Sequence, residues 1–122
     1  MFNDRTENEN CLSTDSGEIY AEEGDTLILG CNTAESSGVD WTQKRSIDGH
    51  LSYIYVNGSI MGDTDILIRF SVVNSSYVGE YSLRIYNIHP FYSGWYDCYE
   101  TDGRRIIGYY VVAAGMFFTT FD

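Results

Sequence analysis

Short runs of alternating apolar and polar residues recur along this chain, each closed within a few positions by Gly, Asn, Asp or Ser. That punctuation restricts the chain to short extended strands joined by tight turns, the pattern of a sandwich or barrel. Glu18 to Ala21 is a weak strand, and Asp25 to Cys31 alternates so that Leu27, Leu29 and Cys31 share a face. Beyond the loop Asn32 to Gly38, Val39 and Trp41 point one way, and Lys44 to His50 reads as a turn. Leu51 to Val56 is a tyrosine-bearing strand closed by Asn57-Gly58, a hairpin signal because both residues tolerate positive φ. Ile66 to Val73 and Tyr81 to Ile88 read as two further strands around the polar turn Asn74-Ser75-Ser76, with Leu83 and Ile85 inward. Trp95 to Glu100 and Ile106 to Val112 flank a five-residue connection containing Asp102-Gly103, which predicts an antiparallel hairpin. The count is eight or nine strands, with no internal repeat, heptad or low-complexity tract.

Composition agrees with an all-β chain of one domain. Among 122 residues there are 11 Tyr, 6 Phe and 2 Trp against a single Pro, and aromatic side chains suit pleated, half-buried surfaces. The net charge of −11 argues against nucleic acid and against an anionic membrane surface, because both are bound by cationic side chains. Residues 1–25 hold −7 of that charge, with eight acids and only Arg5 opposing them, and the cluster reads as a solvated acidic leader over residues 1–16 and an acidic first edge. It lacks the spacing of a calcium loop. The 16 uncharged residues from Ile106 to Phe121 fall short of a membrane span and read as a buried strand plus a tail over 114–122.

The most specific constellation is Cys31 in an alternating strand, Trp41 ten positions later, and Cys98 sixty-seven positions after Cys31 with Tyr96 two before it. It resembles the immunoglobulin superfamily over residues 17–113. Arg69-Phe70-Ser71, Tyr81-Ser82-Leu83-Arg84-Ile85 and Gly94-Trp95-Tyr96-Asp97-Cys98 look like the D, E and F strands of its V-set, or variable-type, domains, and the long separation of the cysteines leaves room for the extra strands of that type. The resemblance implies a β-sandwich of two antiparallel sheets with Greek-key connections. It also implies an inter-sheet disulfide between Cys31 and Cys98, and a core built on Trp41, Tyr96, Leu29 and Leu83. Closing so long a loop stabilises the folded state by roughly 4 kcal/mol on the chain-entropy account, and no second cysteine pair stands at zinc spacing. Two departures stand out. Tyr92 occupies the place of the family's Asp, so the usual Asp–Arg bridge must be replaced, with Asp63 or Asp65 as acids for Arg69. Ile106-Ile107-Gly108-Tyr109 stands where antigen-receptor domains carry Phe-Gly-x-Gly, so antibody-like chain pairing is not expected.

A disulfide implies an oxidising compartment, so the domain is expected to be extracellular, with any secretory signal preceding Met1. Asn57-Gly58-Ser59 and Asn74-Ser75-Ser76 are glycosylation sequons in expected turns. Cys11 is left over, as a free thiol or as half of a link to another domain or copy. His50 and His89 stand in no catalytic motif, and no cofactor loop or metal-ligand spacing is present, so the chain reads as a non-enzyme needing no cofactor.

What the chain offers instead is a surface. With Tyr96 and Cys98 inward, alternation sends Trp95, Asp97 and Tyr99 to the outer face of the GFC sheet that the resemblance implies. Tyr53 and Tyr55 from one neighbouring strand, and Tyr109 or Tyr110 from the other, are expected to join them, and Arg104 and Arg105 to stand at the FG tip. Exposed aromatic residues on a sheet point to a partner. The resemblance implies a recognition domain of a receptor or adhesion protein engaging a protein partner, either a second copy as a homodimer or another immunoglobulin-type receptor. The alternatives are a soluble innate-immune binder stacking these rings on a glycan, similar to variable-region-containing chitin-binding proteins, and a viral decoy of a host V domain.

Overall fold

The computed structural model describes residues 17–34, 38–75 and 79–115, so the acidic leader, Cys11 and most of the C-terminal tail lie outside the described residues. Nine strands fill it: β1 (Glu18–Glu22), β2 (Leu27–Leu29), β3 (Val39–Arg45), β4 (Leu51–Val56), β5 (Ser59–Ile60), β6 (Phe70–Ser75), β7 (Glu80–Ile85), β8 (Gly94–Glu100) and β9 (Arg105–Ala114). A short helix, α1 (Thr64–Arg69), precedes β6, and a single 3-10 turn (Pro90–Tyr92) precedes β8. Six strands form one sheet in the order β1-β9-β8-β3-β4-β5, and three form the other as β2-β7-β6. All pairs are antiparallel except the edge pair β1 and β9, which runs parallel, a correction to two purely antiparallel sheets.

Inward residues of both sheets meet in one core. Leu29, Trp41, Leu83 and Tyr96 are completely buried there, with Phe70, Ile85 and Val111 packed around them. Cys31 and Cys98 are joined by a disulfide that ties the two sheets, and Cys98 lies directly beside Trp41 in the register of β8 and β3. The buried indole cannot leave its N–H unmet, and Trp41 Nε1 donates to the Tyr81 carbonyl across the core at 2.8 Å. Tyr96 donates to the Tyr92 carbonyl at 2.5 Å and accepts from Gln43 Nε2 at 2.7 Å; burial pushes its hydroxyl pKa up. Both hydroxyl functions are thus satisfied in the dry interior.

The segment expected as a strand over Ile66 to Val73 is instead α1 followed by β6. The local reason is a cap: Asp63 accepts from Ile66 N at 3.1 Å, Asp65 lies in the first turn and Arg69 in the last, where each charge complements the helix dipole. That turn also settles the missing Asp. Asp65 comes within 3.3 Å of Arg69 four residues on, and Tyr92, in the place of the family's acid, donates its hydroxyl to the same carboxylate. Arg69 further donates to the Asn87 carbonyl and lies 4.9 Å from the Tyr92 ring centroid. Hydrogen bonds from Tyr92 first and Arg69 second hold the Asp65 carboxyl below its usual range, while burial and that carboxylate push Tyr92 up to about 12.

Three boundaries move. β3 continues through Lys44 and Arg45, so the turn begins at Ser46; β7 ends at Ile85 rather than Ile88; and β6 runs to Ser75, which places Asn74 in a strand opposite Tyr81 rather than in a turn. Asn57 and Gly58 do form the β4–β5 hairpin tip, with φ of 54° and 81°.

Candidate recognition surface

Strand register assembles the outer face of the larger sheet. Trp95, Asp97 and Tyr99 alternate outward on β8, and β3 sets Lys44, Thr42 and Asp40 beside them in that order. On the other flank β9 brings Tyr110 opposite Trp95, Gly108 opposite Asp97 and Arg105 opposite Tyr99. β4 adds Leu51 beside Lys44 and Tyr53 beside Thr42. Trp95 is 40% exposed, Leu51 56% and Tyr53 59%. The Trp95 and Tyr110 ring centroids lie 5.1 Å apart, and the Tyr110 hydroxyl meets Ser46 Oγ at 2.8 Å. Each ring therefore fixes the other before any partner arrives, which lowers the entropy lost on binding.

Two expected outer-face residues turn to the inner side, Tyr55 fully buried and Tyr109 partly so. Tyr55 is 7% exposed and belongs to the core cluster, because the ladder between β3 and β4 passes directly from Trp41↔Tyr55 to Thr42↔Tyr53. Ile54 is the extra residue of a bulge, and it places Tyr53 and Tyr55 on opposite faces. Tyr109 faces Tyr96 on the inner side, stacks on Trp41 at 6.5 Å and donates to the Gly30 carbonyl at 2.7 Å; burial pushes its pKa up. A second bulge, at Ile106, sets this parity, so Tyr110 rather than Tyr109 belongs to the outer face. The single glycine of Ile106-Ile107-Gly108-Tyr109 thus still allows a bulge at the start of the last strand.

The arginines of the β8–β9 hairpin are engaged at home. Arg104 reaches the nearly buried Glu100 at 2.6 Å, and Thr33 donates to the other oxygen of that carboxylate at 2.6 Å. Arg105 Nε donates to Asp97 Oδ1 at 3.0 Å, laying a neutral pair flat across the face. Gly108 makes room for it: a Cβ there would stand 2.0 Å from the Arg105 guanidinium and 2.2 Å from the Asp97 carboxylate. Sequence reasoning missed the polar part of the face, Asp40, Thr42, Lys44 and Gly108, for which the only signal is cross-strand register. Neither Asp40 nor Lys44 has an ion-pair partner among the described residues, and partial burial pushes the Asp40 carboxyl pKa up.

Elsewhere the chemistry is spent within the chain. A cleft of about 540 Å³ lies between β4, α1 and the Pro90–Tyr92 turn, but Arg45 on its wall pairs with Asp48, Asp63 caps α1, and Asp65 serves Arg69 and Tyr92. Among the described residues no group of three or more His, Cys, Asp or Glu could hold a metal ion, and no helix is long and apolar enough to cross a membrane.

The sequence matches no family model and no curated protein. In structure the chain is similar to the first Ig domain of the mouse polymeric immunoglobulin receptor, with a TM-score of 0.64 at 16% identity, over 81% of this chain and 90% of that one. The chain has the variable-type immunoglobulin fold. In this V-type domain β1, β9, β8, β3, β4 and β5 take the places of A′, G, F, C, C′ and C″, and β2, β7 and β6 those of B, E and D. The Trp95 face is then the outer face of the GFC sheet, and α1 lies on the connection into strand D.

Proposed function

We propose that this V-type domain is an extracellular recognition module of receptor or adhesion type that performs no catalysis and binds a protein partner through the outer face of its GFC sheet. One observation carries this: the paired Trp95 and Tyr110 rings, with Tyr53 and Leu51 beside them, stand open on a sheet face rather than in the core. Large rings held rigid on a flat surface are the side chains on which protein interfaces concentrate their binding energy. Charged and hydroxyl groups share the face with them, the mixed composition of a reversible rather than an obligate contact. The Cys31–Cys98 bond supports an oxidising location, and Asn57, exposed at a hairpin tip, is a position that an oligosaccharide can occupy without covering the face.

The test is binding of the oxidised domain, clustered on beads, to itself and to a panel of purified immunoglobulin-type ectodomains. Trp95→Ala and Tyr53→Ala should each weaken capture by about tenfold or more while leaving the thermal midpoint in place. Capture indifferent to both substitutions would move the site off this face. Binding confined to a glycan array, again lost in Trp95→Ala, would replace the protein partner with a carbohydrate.

A further inference from the structure

The two unpaired charges of the face, Asp40 and Lys44, lie on the same strand, point the same way and flank Thr42. They are about 13 Å apart, four residues at the rise of an extended strand. A two-fold axis lying between two facing copies, running across the strands over Thr42, reverses the strand direction and sets Asp40 of each copy against Lys44 of the other. The same operation sets Tyr99 of one copy against Trp95 of the other, and Arg105 against Tyr110, giving a ring pair and a cation over a ring. Asp97 meets its own symmetry mate on the axis, which would repel were it not already neutralised by Arg105 at 3.0 Å. With two acids, Asp40 and Asp97, and two bases, Lys44 and Arg105, the face is neutral on a chain of net charge −11, so it is where two copies approach with least repulsion.

We infer that the partner of this face is a second copy of the same chain, docked antiparallel about that axis, with two symmetric Asp40–Lys44 contacts fixing the register. The inference rests on the face assignment made above. A two-fold along the strands over β3 would set Asp40 and Lys44 each against its own symmetry mate, and one over β8 would set Asp40 against Arg105, which Asp97 already holds at 3.0 Å, and Lys44 against Tyr110; only the axis across the strands gives each unpaired charge an unpaired opposite one. The twist between aligned sheets, about 30°, moves a residue some 7 Å from the axis by about 3–4 Å, a shift that the long lysine stem absorbs. Self-complementarity of this kind, in which one residue meets another and the second meets the first, is what a closed dimer requires.

Charge exchange tests it by sedimentation equilibrium of the oxidised domain, in a Cys11→Ser background so that no covalent link contributes. Asp40→Lys and Lys44→Asp should each weaken the dimer about tenfold or more, by placing like charges together twice, and the double substitution should restore it to within about threefold. Mixing the two single variants should yield a heterodimer, because each then meets the opposite sign at both contacts; a variant that fails to fold cannot be rescued by mixing. A dimer that Trp95→Ala disrupts but that ignores the charge exchanges, or single variants that stay apart on mixing, would overturn the register and leave the face in place. A wild-type domain monomeric up to about 1 mM would overturn the second copy as occupant. A dimer untouched by any of these substitutions would overturn the face as well.

Discussion

At the scale of single residues, Tyr92 marks where this chain departs from its fold relatives and recovers by other means. Its hydroxyl donates to Asp65, and Asp65 pairs with Arg69, so a tyrosine and a helix-borne acid together do what one aspartate does elsewhere. Removing that donor in Tyr92→Phe should cost about 1 kcal/mol near pH 6 by urea unfolding. The sign of its pH dependence is fixed. The folded Asp65 pKa lies below the unfolded value, so the stability it contributes is present above the usual carboxylate pKa and lost as pH falls through the folded one. The penalty of Tyr92→Phe should therefore shrink below about pH 4. On the alkaline side Tyr92 itself titrates at about 12 in the folded protein, above its ordinary value, so its contribution is complete below about pH 10 and drains away toward pH 12. A penalty constant from pH 3 to 7 would mean that the hydroxyl does not act through Asp65. Two glycines offer a contrast of the same size. At Gly94, with φ of +150°, a Cβ would stand 2.1 Å from the Lys44 carbonyl oxygen; at Gly108 it would meet only the movable ends of Arg105 and Asp97. Gly94→Ala should lose about 2–3 kcal/mol, and Gly108→Ala under about 1 kcal/mol while displacing the charge pair from the recognition face.

At the scale of elements, the alternating strands, the two hairpin tips and the Cys31, Trp41, Tyr96 and Cys98 set were all legible, because each leaves a local mark: a period of two, a pair of turn residues, a spacing. The bulges were not. One extra residue at Ile54 or Ile106 reverses the parity of everything after it, and nothing in the side chains of Leu51 to Val56 or of Ile106 to Val112 announces which residue is the extra one. That is why Tyr55 and Tyr109 read as outer-face residues, whereas Tyr55 lies in the core and Tyr109, partly buried, packs against it. Helix α1 was missed for a related reason. Ile66, Ile68 and Phe70 alternate as a strand would, and the competing signals, Asp63 as a cap and Asp65 four residues before Arg69, are weak alone and decisive only together. Since the helix is only six residues long, its cap carries a large share of its stability. Asp63→Ala should cost about 1 kcal/mol and speed amide exchange at Ile66 and Leu67, with exchange in β8 unchanged. Equal loss of protection throughout would show that α1 is part of the cooperative core rather than a separately stabilised connection.

At the scale of the whole molecule, the question is how 122 residues hold two sheets of very different size together. The smaller sheet has three strands, one of them only three residues long, and its inner face rests wholly on the larger sheet. Its attachment is central: Cys31 follows β2, Cys98 lies mid-strand in β8, and Trp41 and Leu83 fill the space beside the bond. The loop that this bond closes, 67 residues, includes both sheets' central strands, so the unfolded chain without it regains the freedom to separate them. On the chain-entropy account the loss is about 4 kcal/mol, a large part of the 5–15 kcal/mol that domains possess. Cys31→Ala with Cys98→Ala should accordingly lower the urea midpoint by about 2 M, taking a slope near 2 kcal/mol per M. If the loss is entropic in this sense, it should be recovered by a second tether across the same two sheets and not by filling the space the sulfurs leave. Cys31→Val with Cys98→Ala, which restores apolar volume without the link, separates the two: a midpoint close to that of the double alanine variant means the link itself stabilises, and recovery of most of the lost stability means that packing around Trp41 was the larger effect.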